Sequence, residues 1–142
     1  EALEAAARRL PVPVIGNGDI WTVEDALRMA ELEGVDGVMV ARAGIGDPWL
    51  LRRIWQGLAG RPVDPKPDRE ERVRVMIDHM RMNVERVGER RGVLEMRGFI
   101  RNYIKGCTDT KKTWLKVIAV ETFAETAAVL EEFARGGNRS VR

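Results

Sequence analysis

The residues best suited to chemistry follow two short apolar runs in the first half of the chain. The run Val12–Ile15 leads into Gly16-Asn17-Gly18-Asp19, and the run Val35–Val40 leads into Ala41-Arg42. Glycine can adopt positive φ, so consecutive backbone N–H groups can face an anion, and the planar guanidinium of arginine forms paired hydrogen bonds with phosphate oxygens. The sequence therefore predicts a phosphate-binding site formed by Asn17, Gly18, Asp19, Ala41 and Arg42.

The alternative is that these loops are two ordinary strand-to-helix turns, for which glycine and asparagine are equally typical. The carboxylate of Asp19 would have to point away from a bound phosphate, because like charges repel. A predicted helix start at Asp47-Pro48 favours the phosphate site, since the positive end of that helix would lie nearby.

The second candidate site is a basic segment in the other half of the chain. Residues 69–142 contain 16 lysines and arginines against 11 acidic residues, whereas residues 1–68 contain 8 against 11. Arg97, Arg101 and Lys105 are four residues apart and would share one helix face. Such a face suits a nucleic-acid backbone, although a merely solvated surface would have the same composition. The candidate RNA contacts are Arg90, Arg91, Arg97, Arg101, Lys105, Lys111 and Lys112.

The composition argues against several other kinds of site. The single cysteine, Cys107, excludes an internal disulfide, and with one histidine as well, His79, we predict no metal site. We expect His79 to be a packing or surface residue. No apolar run reaches the roughly 18 residues that a membrane span needs, so we expect a cytoplasmic protein without a membrane partner.

Local signals predict alternating strands and helices in the first half. Thr22 and Asp25 form a capping box at the start of a helix that Gly34 ends. The near-continuous apolar run Val35–Val40 is typical of a strand buried on both faces of a parallel sheet. Asp47 is the predicted N-cap of the next helix, which ends at Gly60. The predicted buried side of that helix consists of Trp49, Leu50, Ile54, Trp55 and Leu58.

The second half is predicted to be helical. Three prolines lie within residues 61–68, which we interpret as a linker. Apolar residues then recur with helical periodicity in four segments: one from Val73 to Val84, one from Val93 to a stop at Gly106, one over Lys111–Ala119, and one from Thr122 to Arg135-Gly136. We expect residues 137–142 to be a flexible tail. Two βα units are too few for a parallel sheet of normal size, and the chain opens without Met in what resembles a helix tail, so we expect missing strands upstream.

Four stretches resemble the tRNA-dihydrouridine synthases. IGNGDIWTVEDALRM followed by GVDGVMVARAGIGDPWLL is similar to the end of that family's barrel, GERRGVLEMRGFIRNYIKG to its helical-domain signature, and VETFAETAAVLEEF to its closing helix. The resemblance covers residues 11–134. It implies an α/β plus all-α fold: residues 1–60 are the last two βα units of a (β/α)8 TIM barrel, and residues 69–136 are a small C-terminal helical bundle.

The resemblance implies a flavin enzyme that reduces uridine in tRNA to 5,6-dihydrouridine, with NADPH as the reductant of FMN. In that family the FMN phosphate is held by the Asn-Gly-Asp loop and by a Gly-Arg pair, which correspond to Asn17, Gly18, Asp19, Ala41 and Arg42. Alanine replaces the usual glycine, which costs about 1 kcal/mol if position 41 requires positive φ. The helical domain docks tRNA in the family, although Gly98, Phe99 and Asn102 here replace the usual Lys, His and aromatic residue.

No catalytic residue is predicted within these 142 residues. The family's catalytic cysteine and flavin-contacting lysine belong to sequence before residue 1, and we expect Cys107 to be an ordinary half-buried thiol. The chain alone is therefore expected to be inactive. Two alternatives stay open: a stand-alone RNA-binding module, and a fragment of another FMN-dependent TIM-barrel oxidoreductase, which would explain the loops but not the basic helices. The sequence does not indicate the oligomeric state or which uridine is reduced.

Overall fold

The computed structural model describes residues 5, 9 and 11–136, so the predicted flexible tail 137–142 lies outside the described residues. The chain divides into two compact units, Glu1–Lys66 and Pro67–Arg142. The described residues contain two short strands, six α-helices and one 3-10 turn. Within that part of the chain no helix is long and apolar enough to cross a membrane, and no cluster of His, Cys, Asp and Glu could hold a metal ion.

The first unit contains a parallel β-α-β arrangement. Strands β1 (Ile15–Gly16) and β2 (Gly37–Val38) pair in parallel with Ile15 opposite Gly37, and helix α1 (Val23–Ala30) connects them. Both strands are shorter than predicted. Two further backbone hydrogen bonds extend the pairing, from Asp36 N to Val14 O at 2.9 Å and from Met39 N to Gly16 O at 2.8 Å.

Helix α1 begins at the predicted capping box. The hydroxyl of Thr22 accepts from Asp25 N at 3.1 Å, and the carboxylate of Asp25 accepts from Thr22 N at 2.8 Å. Gly16 allows α1 to lie directly on β1, because a Cβ at that position would stand 2.6 Å from the sulfur of Met29. The helix ends at Ala30, before the predicted stop at Gly34.

For the helix that follows β2, the predicted N-cap and part of the predicted buried side are wrong. Helix α2 spans Trp49–Leu58 with Pro48 as its N-cap, and the carboxylate of Asp47 pairs with Arg53 instead of capping the helix. Leu50 and Ile54 are buried as predicted, but Trp55 is 53% and Leu58 is 44% exposed. Arg53 and Gln56 are buried in their place, because α2 packs on α1 through a face rotated away from Trp55.

The prediction that β2 is buried on both faces is also wrong for the described residues. Met39 is 48% exposed, and Ile15 on the neighbouring strand is 55% exposed. Packing covers one side of this two-stranded sheet, where the core of the unit lies. That core consists of Ile20, Val23, Ala26, Leu50 and Ile54.

The second unit contains four helices whose periodicity the sequence predicted well: α3 (Arg69–Val87), α4 (Glu89–Tyr103), α5 (Thr110–Ala119) and α6 (Phe123–Gly136). Each contributes side chains to a shared core. The residues with the largest fully buried side chains are Met76, Met80, Val93, Met96, Ile100, Ile104, Val117, Thr126 and Leu130. Gly88 and Gly106, which follow α3 and α4, have φ of 87° and 79°, a conformation that glycine adopts without strain.

Candidate functional site

Two loops of the first unit meet around one cavity: the loop of residues 17–21, which contains Gly18, and the loop of residues 41–43, which contains Arg42. Because β1 and β2 are parallel neighbours, the loops that follow them leave the same edge of the sheet. The cavity has a volume of about 230 Å³. Its lining residues are Asn17, Gly18, Asp19, Ile20, Trp21, Ala41, Arg42 and Ala43. All five residues predicted to bind phosphate therefore line a single cavity.

The backbone around this cavity offers hydrogen-bond donors. Among the described residues, the N–H groups of Gly18, Asp19, Arg42 and Ala43 donate to no backbone acceptor. Asp19 has φ of 45°, in the left-handed region that aspartate tolerates better than most residues. Exposed N–H groups in such turns attract anions.

Alanine at position 41 introduces no positive-φ strain. Ala41 has φ of −107° and precedes the 3-10 turn Arg42–Gly44, in which Gly44 N donates to Ala41 O at 3.1 Å. The positive-φ cost considered for alanine therefore does not arise, while the ψ of −99° places Ala41 outside the main α and β regions.

Arg42 is held by two side chains of the other loop. Its guanidinium lies 3.1 Å from the carboxylate of Asp19 and 5.5 Å from the ring centroid of Trp21. Both charged side chains are highly exposed, Arg42 at 73% and Asp19 at 82%. The Asp19 carboxylate thus faces the arginine of the cradle, our name for the two loops, residues 17–21 and 41–43, that line this cavity.

The buried Arg53 and the half-buried Asp47 form an ion pair close to the 3-10 turn. Arg53 on α2 donates to the carboxylate of Asp47 at 2.6 Å, and its side chain is only 8% exposed. Asp47 N in turn donates to Gly44 O at 3.3 Å. The second carboxylate oxygen of Asp47 and the Nε of Arg53 are buried and have no hydrogen-bond partner among the described residues. Sequence reasoning missed this pair because an aspartate before proline is typical of a helix N-cap.

In the second unit, two of the predicted basic residues form hydrogen bonds with neighbouring residues, and all of the predicted residues except Arg97 are exposed. Arg97 is half-buried and donates to Val120 O at 2.9 Å, which ties α4 to the turn before α6. Arg91 donates to Glu95 at 2.7 Å on the same helix. The remaining candidates are exposed: Arg90, Arg101, Lys105, Lys111 and Lys112. The guanidinium of Arg101 lies 6.0 Å from the ring centroid of Trp114 on α5.

The carboxylate of Glu95 joins α3 to α4. Hydrogen bonds from Arg91 and Asn83, with the charge of Arg86 adding to them, lower the pKa of Glu95 below its ordinary value of 4.5. Arg86 lies 3.2 Å from the carboxylate and Asn83 Nδ2 lies 3.3 Å from it. Two arginines of the basic segment are thus engaged by an acid within the same unit.

The single histidine and the single cysteine both lie in the second unit. The His79 ring is 5.1 Å from the ring of Phe99, its Nδ1 is 3.5 Å from the Tyr103 hydroxyl, and burial lowers its pKa below 6.5. His79 therefore packs among aromatic side chains. Cys107 is half-buried, and the nearest described donor to its sulfur is Arg72 at 3.8 Å.

The amino-acid sequence of the chain is similar to those of known proteins. A sequence model of the dihydrouridine synthase family matches residues 1–136. The chain is 36% identical over 95 residues to a probable tRNA-dihydrouridine synthase of Mycobacterium leprae, covering 67% of this chain and 25% of the relative. It is 31% identical over 120 residues to the Mycobacterium tuberculosis protein of the same name, covering 84% and 31%.

A third relative extends the match along nearly the whole chain. The chain is 29% identical over 134 residues to tRNA-dihydrouridine synthase B of Shewanella oneidensis, covering 94% of this chain and 41% of the relative. The aligned regions thus span between 25% and 41% of the length of these three relatives.

Proposed function

The chain belongs to the dihydrouridine synthase family, and we propose that it is the C-terminal portion of a flavin-dependent tRNA-dihydrouridine synthase. In this proposal residues 1–60 are the end of the FMN-binding TIM barrel, residues 61–68 are the linker, and residues 69–136 form the tRNA-binding domain. The observation that carries the proposal is the single cavity at which the loops of residues 17–21 and 41–43 meet. That arrangement occurs in a chain that the family's sequence model covers over residues 1–136.

The residues present fit a phosphate group. Arg42 supplies a charged donor, and the N–H groups of Gly18, Asp19, Arg42 and Ala43 supply neutral donors around the same cavity. We assign Asn17, Gly18, Asp19, Ala41 and Arg42 to the FMN phosphate. When bound, FMN would supply the hydride that reduces uracil, with NADPH as its reductant. The role of this chain is to bind and orient the phosphate end of the cofactor.

We assign tRNA docking to the exposed basic residues of the second unit. Arg101 lies in the last turn of α4, Lys105 follows that helix, and Lys111 and Lys112 lie at the start of α5. Arginine and lysine side chains in such positions contact phosphates without reading bases, so the affinity should fall steeply with salt. Arg97 contributes by holding the turn before α6 in place, since its guanidinium donates to Val120 O.

The test of this function is an assay for reduction of uridine. The purified chain is incubated with FMN, NADPH and an unmodified tRNA transcript, and dihydrouridine is measured by mass spectrometry. We expect no turnover, because the one cysteine of these 142 residues packs beside Arg72 in the helical unit. The full-length Shewanella oneidensis relative serves as the positive control, and turnover by the chain alone would contradict the proposal.

A flavin titration separates the proposed function from the stand-alone RNA-binding module. We expect FMN to bind with one-to-one stoichiometry through its phosphate, and riboflavin, which lacks the phosphate, to bind much more weakly. A chain that binds tRNA but shows no preference for FMN over riboflavin would favour the RNA-binding module. Flavin binding without any tRNA binding would favour another FMN-dependent barrel enzyme.

A further inference from the structure

We propose that the carboxylate of Asp19 competes with phosphate for Arg42, so that an anion entering the cradle must displace an internal counter-ion. The inference rests on the proposed phosphate site. In that site Asp19 contributes its backbone N–H, and the inference gives its side-chain carboxylate a role as well. Asp19 and Arg42 lie 23 positions apart on different loops, and Asp19 Oδ1 is 3.1 Å from Arg42 Nη2.

The charges around the cavity support competition. Asp19 and Arg42 are the only ionisable side chains among its eight described lining residues, so the lining carries no net side-chain charge. A phosphate group brings up to two negative charges to the same guanidinium. Its affinity therefore depends on the difference between its attraction to Arg42 and the attraction that Asp19 already exerts.

The surroundings of Arg42 allow the exchange without losing the arginine from the site. The guanidinium also lies 5.5 Å from the ring centroid of Trp21, which is 49% exposed, and this contact does not involve Asp19. The backbone of position 42 is fixed separately by the 3-10 turn, in which Ile45 N donates to Arg42 O at 3.1 Å. Removal of the carboxylate should leave the arginine near the cavity.

The Asp19→Asn variant separates competition from positioning. Asparagine keeps the size of the side chain and tolerates the left-handed backbone of position 19, where φ is 45°, so the loop should keep its conformation. Loss of one opposing charge a few ångströms from the anion should raise the affinity for phosphate about three- to tenfold in this solvent-exposed setting.

Glu31→Gln is the matched control. Glu31 is exposed and follows the last residue of α1, so the substitution removes one negative charge from the same unit. The eight residues of α1 separate it from the cradle loop by about 12 Å of helix, and we expect its effect to be small. Arg42→Gln is the loss-of-binding variant, because it removes the group for which the two anions compete.

The experiment is a titration of the isotopically labelled chain with inorganic phosphate at constant ionic strength. Backbone amide signals of Gly18, Arg42 and Ala43 are followed by NMR. The expected result is tighter binding by Asp19→Asn, wild-type binding by Glu31→Gln, and loss of binding by Arg42→Gln. Equal or weaker binding by Asp19→Asn would overturn the competition while leaving the cradle intact. Absence of phosphate binding by both the wild type and Asp19→Asn would overturn the proposed phosphate site together with this inference.

Discussion

Among the described residues of the first unit, Arg53 is the one charged residue that is buried, with 7% exposure, and its only described carboxylate partner is Asp47. Asp47 follows the 3-10 turn Arg42–Gly44 by three residues. Asp47 N donates to Gly44 O at 3.3 Å, which connects Asp47 to the turn that carries Arg42. Asp47 is thus a candidate positioning residue for Arg42, although its carboxylate does not line the cavity.

We predict that Asp47→Ala destabilises the first unit by about 1–3 kcal/mol, since it leaves a buried guanidinium without its acceptor. Amide hydrogen exchange of Gly44 and Ile45, whose N–H groups close the 3-10 turn, should accelerate in the same variant. The control is Asp64→Ala, which removes the partner of the exposed Arg52 at 3.0 Å and should cost less than about 0.5 kcal/mol. Similar effects of the two substitutions would contradict an anchoring role for the buried pair.

We expect Glu95 to make the stability of the second unit depend on pH. Its pKa is lower in the folded chain than its ordinary value of 4.5, chiefly through the hydrogen bond from Arg91. A lowered pKa contributes stability that is present above the ordinary value and is lost as the pH falls through the lowered one.

We therefore predict that Glu95→Gln reduces the loss of thermal stability between about pH 6 and pH 3. Glutamine keeps an acceptor for Asn83 but does not titrate. Thermal unfolding followed by circular dichroism measures the change, and Glu131→Gln on the exposed side of α6 is the control. An unchanged pH profile for Glu95→Gln would show that the carboxylate contributes no linked stability.

At the scale of elements, the contact between α3 and α4 depends on one glycine. A Cβ on Gly92 would lie 2.7 Å from the Cα and 2.8 Å from the backbone nitrogen of Val84. A backbone atom cannot move aside as a flexible side chain can, so the two helices would have to separate.

We predict that Gly92→Ala destabilises the second unit by about 1–3 kcal/mol, in the range of overpacked cores. Gly98 on the same helix is the matched control, because a Cβ there meets no atom within 4 Å. Gly98→Ala should stabilise the chain by about 0.5–1 kcal/mol through the higher helix propensity of alanine. Urea unfolding of both variants provides the comparison, and equal effects would contradict the close-packing explanation.

The elements differ in how far the sequence predicts them. Helices α3 to α6 begin and end within a few residues of prediction, because apolar periodicity and the capping box of Thr122 and Glu125 are local signals. The buried side of α2 was predicted less well. Its large apolar residues were taken as buried, whereas Trp55 packs instead against the guanidinium of Arg61, 4.6 Å from its ring centroid.

In the candidate sites, too, features set by local sequence were predictable, and contacts between residues distant in sequence were not. The meeting of loops 17–21 and 41–43 at one cavity was predictable, because parallel strands bring their following loops together. The Asp19–Arg42 and Asp47–Arg53 pairs were not, since they depend on side-chain directions that no local pattern gives. The spacing of Arg97 also fits the predicted basic face. Its hydrogen bond to Val120 O could not be predicted, because it depends on how α4 packs against the turn before α6.

At the scale of the whole molecule, the two units carry different charges and different proposed ligands. The excess of acidic residues lies in 1–68, and the excess of basic residues lies in 69–142. An RNA-docking role for the second unit thus agrees with its net charge as well as with the family to which the chain belongs.

The proposed docking role can be measured on the chain by itself. Arg101→Gln combined with Lys105→Gln removes two exposed charges and spares Arg97, whose loss would disturb packing. Lys66→Gln combined with Arg74→Gln removes two exposed charges elsewhere and serves as the control. Circular dichroism of both double variants establishes that the helices are intact.

Equilibrium binding of an unmodified tRNA transcript across a range of salt concentrations is the most direct test of the proposed function. The wild-type chain and the control should bind with an affinity that falls steeply as salt rises. The Arg101→Gln, Lys105→Gln variant should bind more weakly, with the slope of log affinity against log salt reduced by about 1.5, as expected for two lost phosphate contacts. Equal affinity and equal slope for the two double variants, or wild-type binding that salt does not weaken, would contradict the assignment of this chain's helical unit to tRNA.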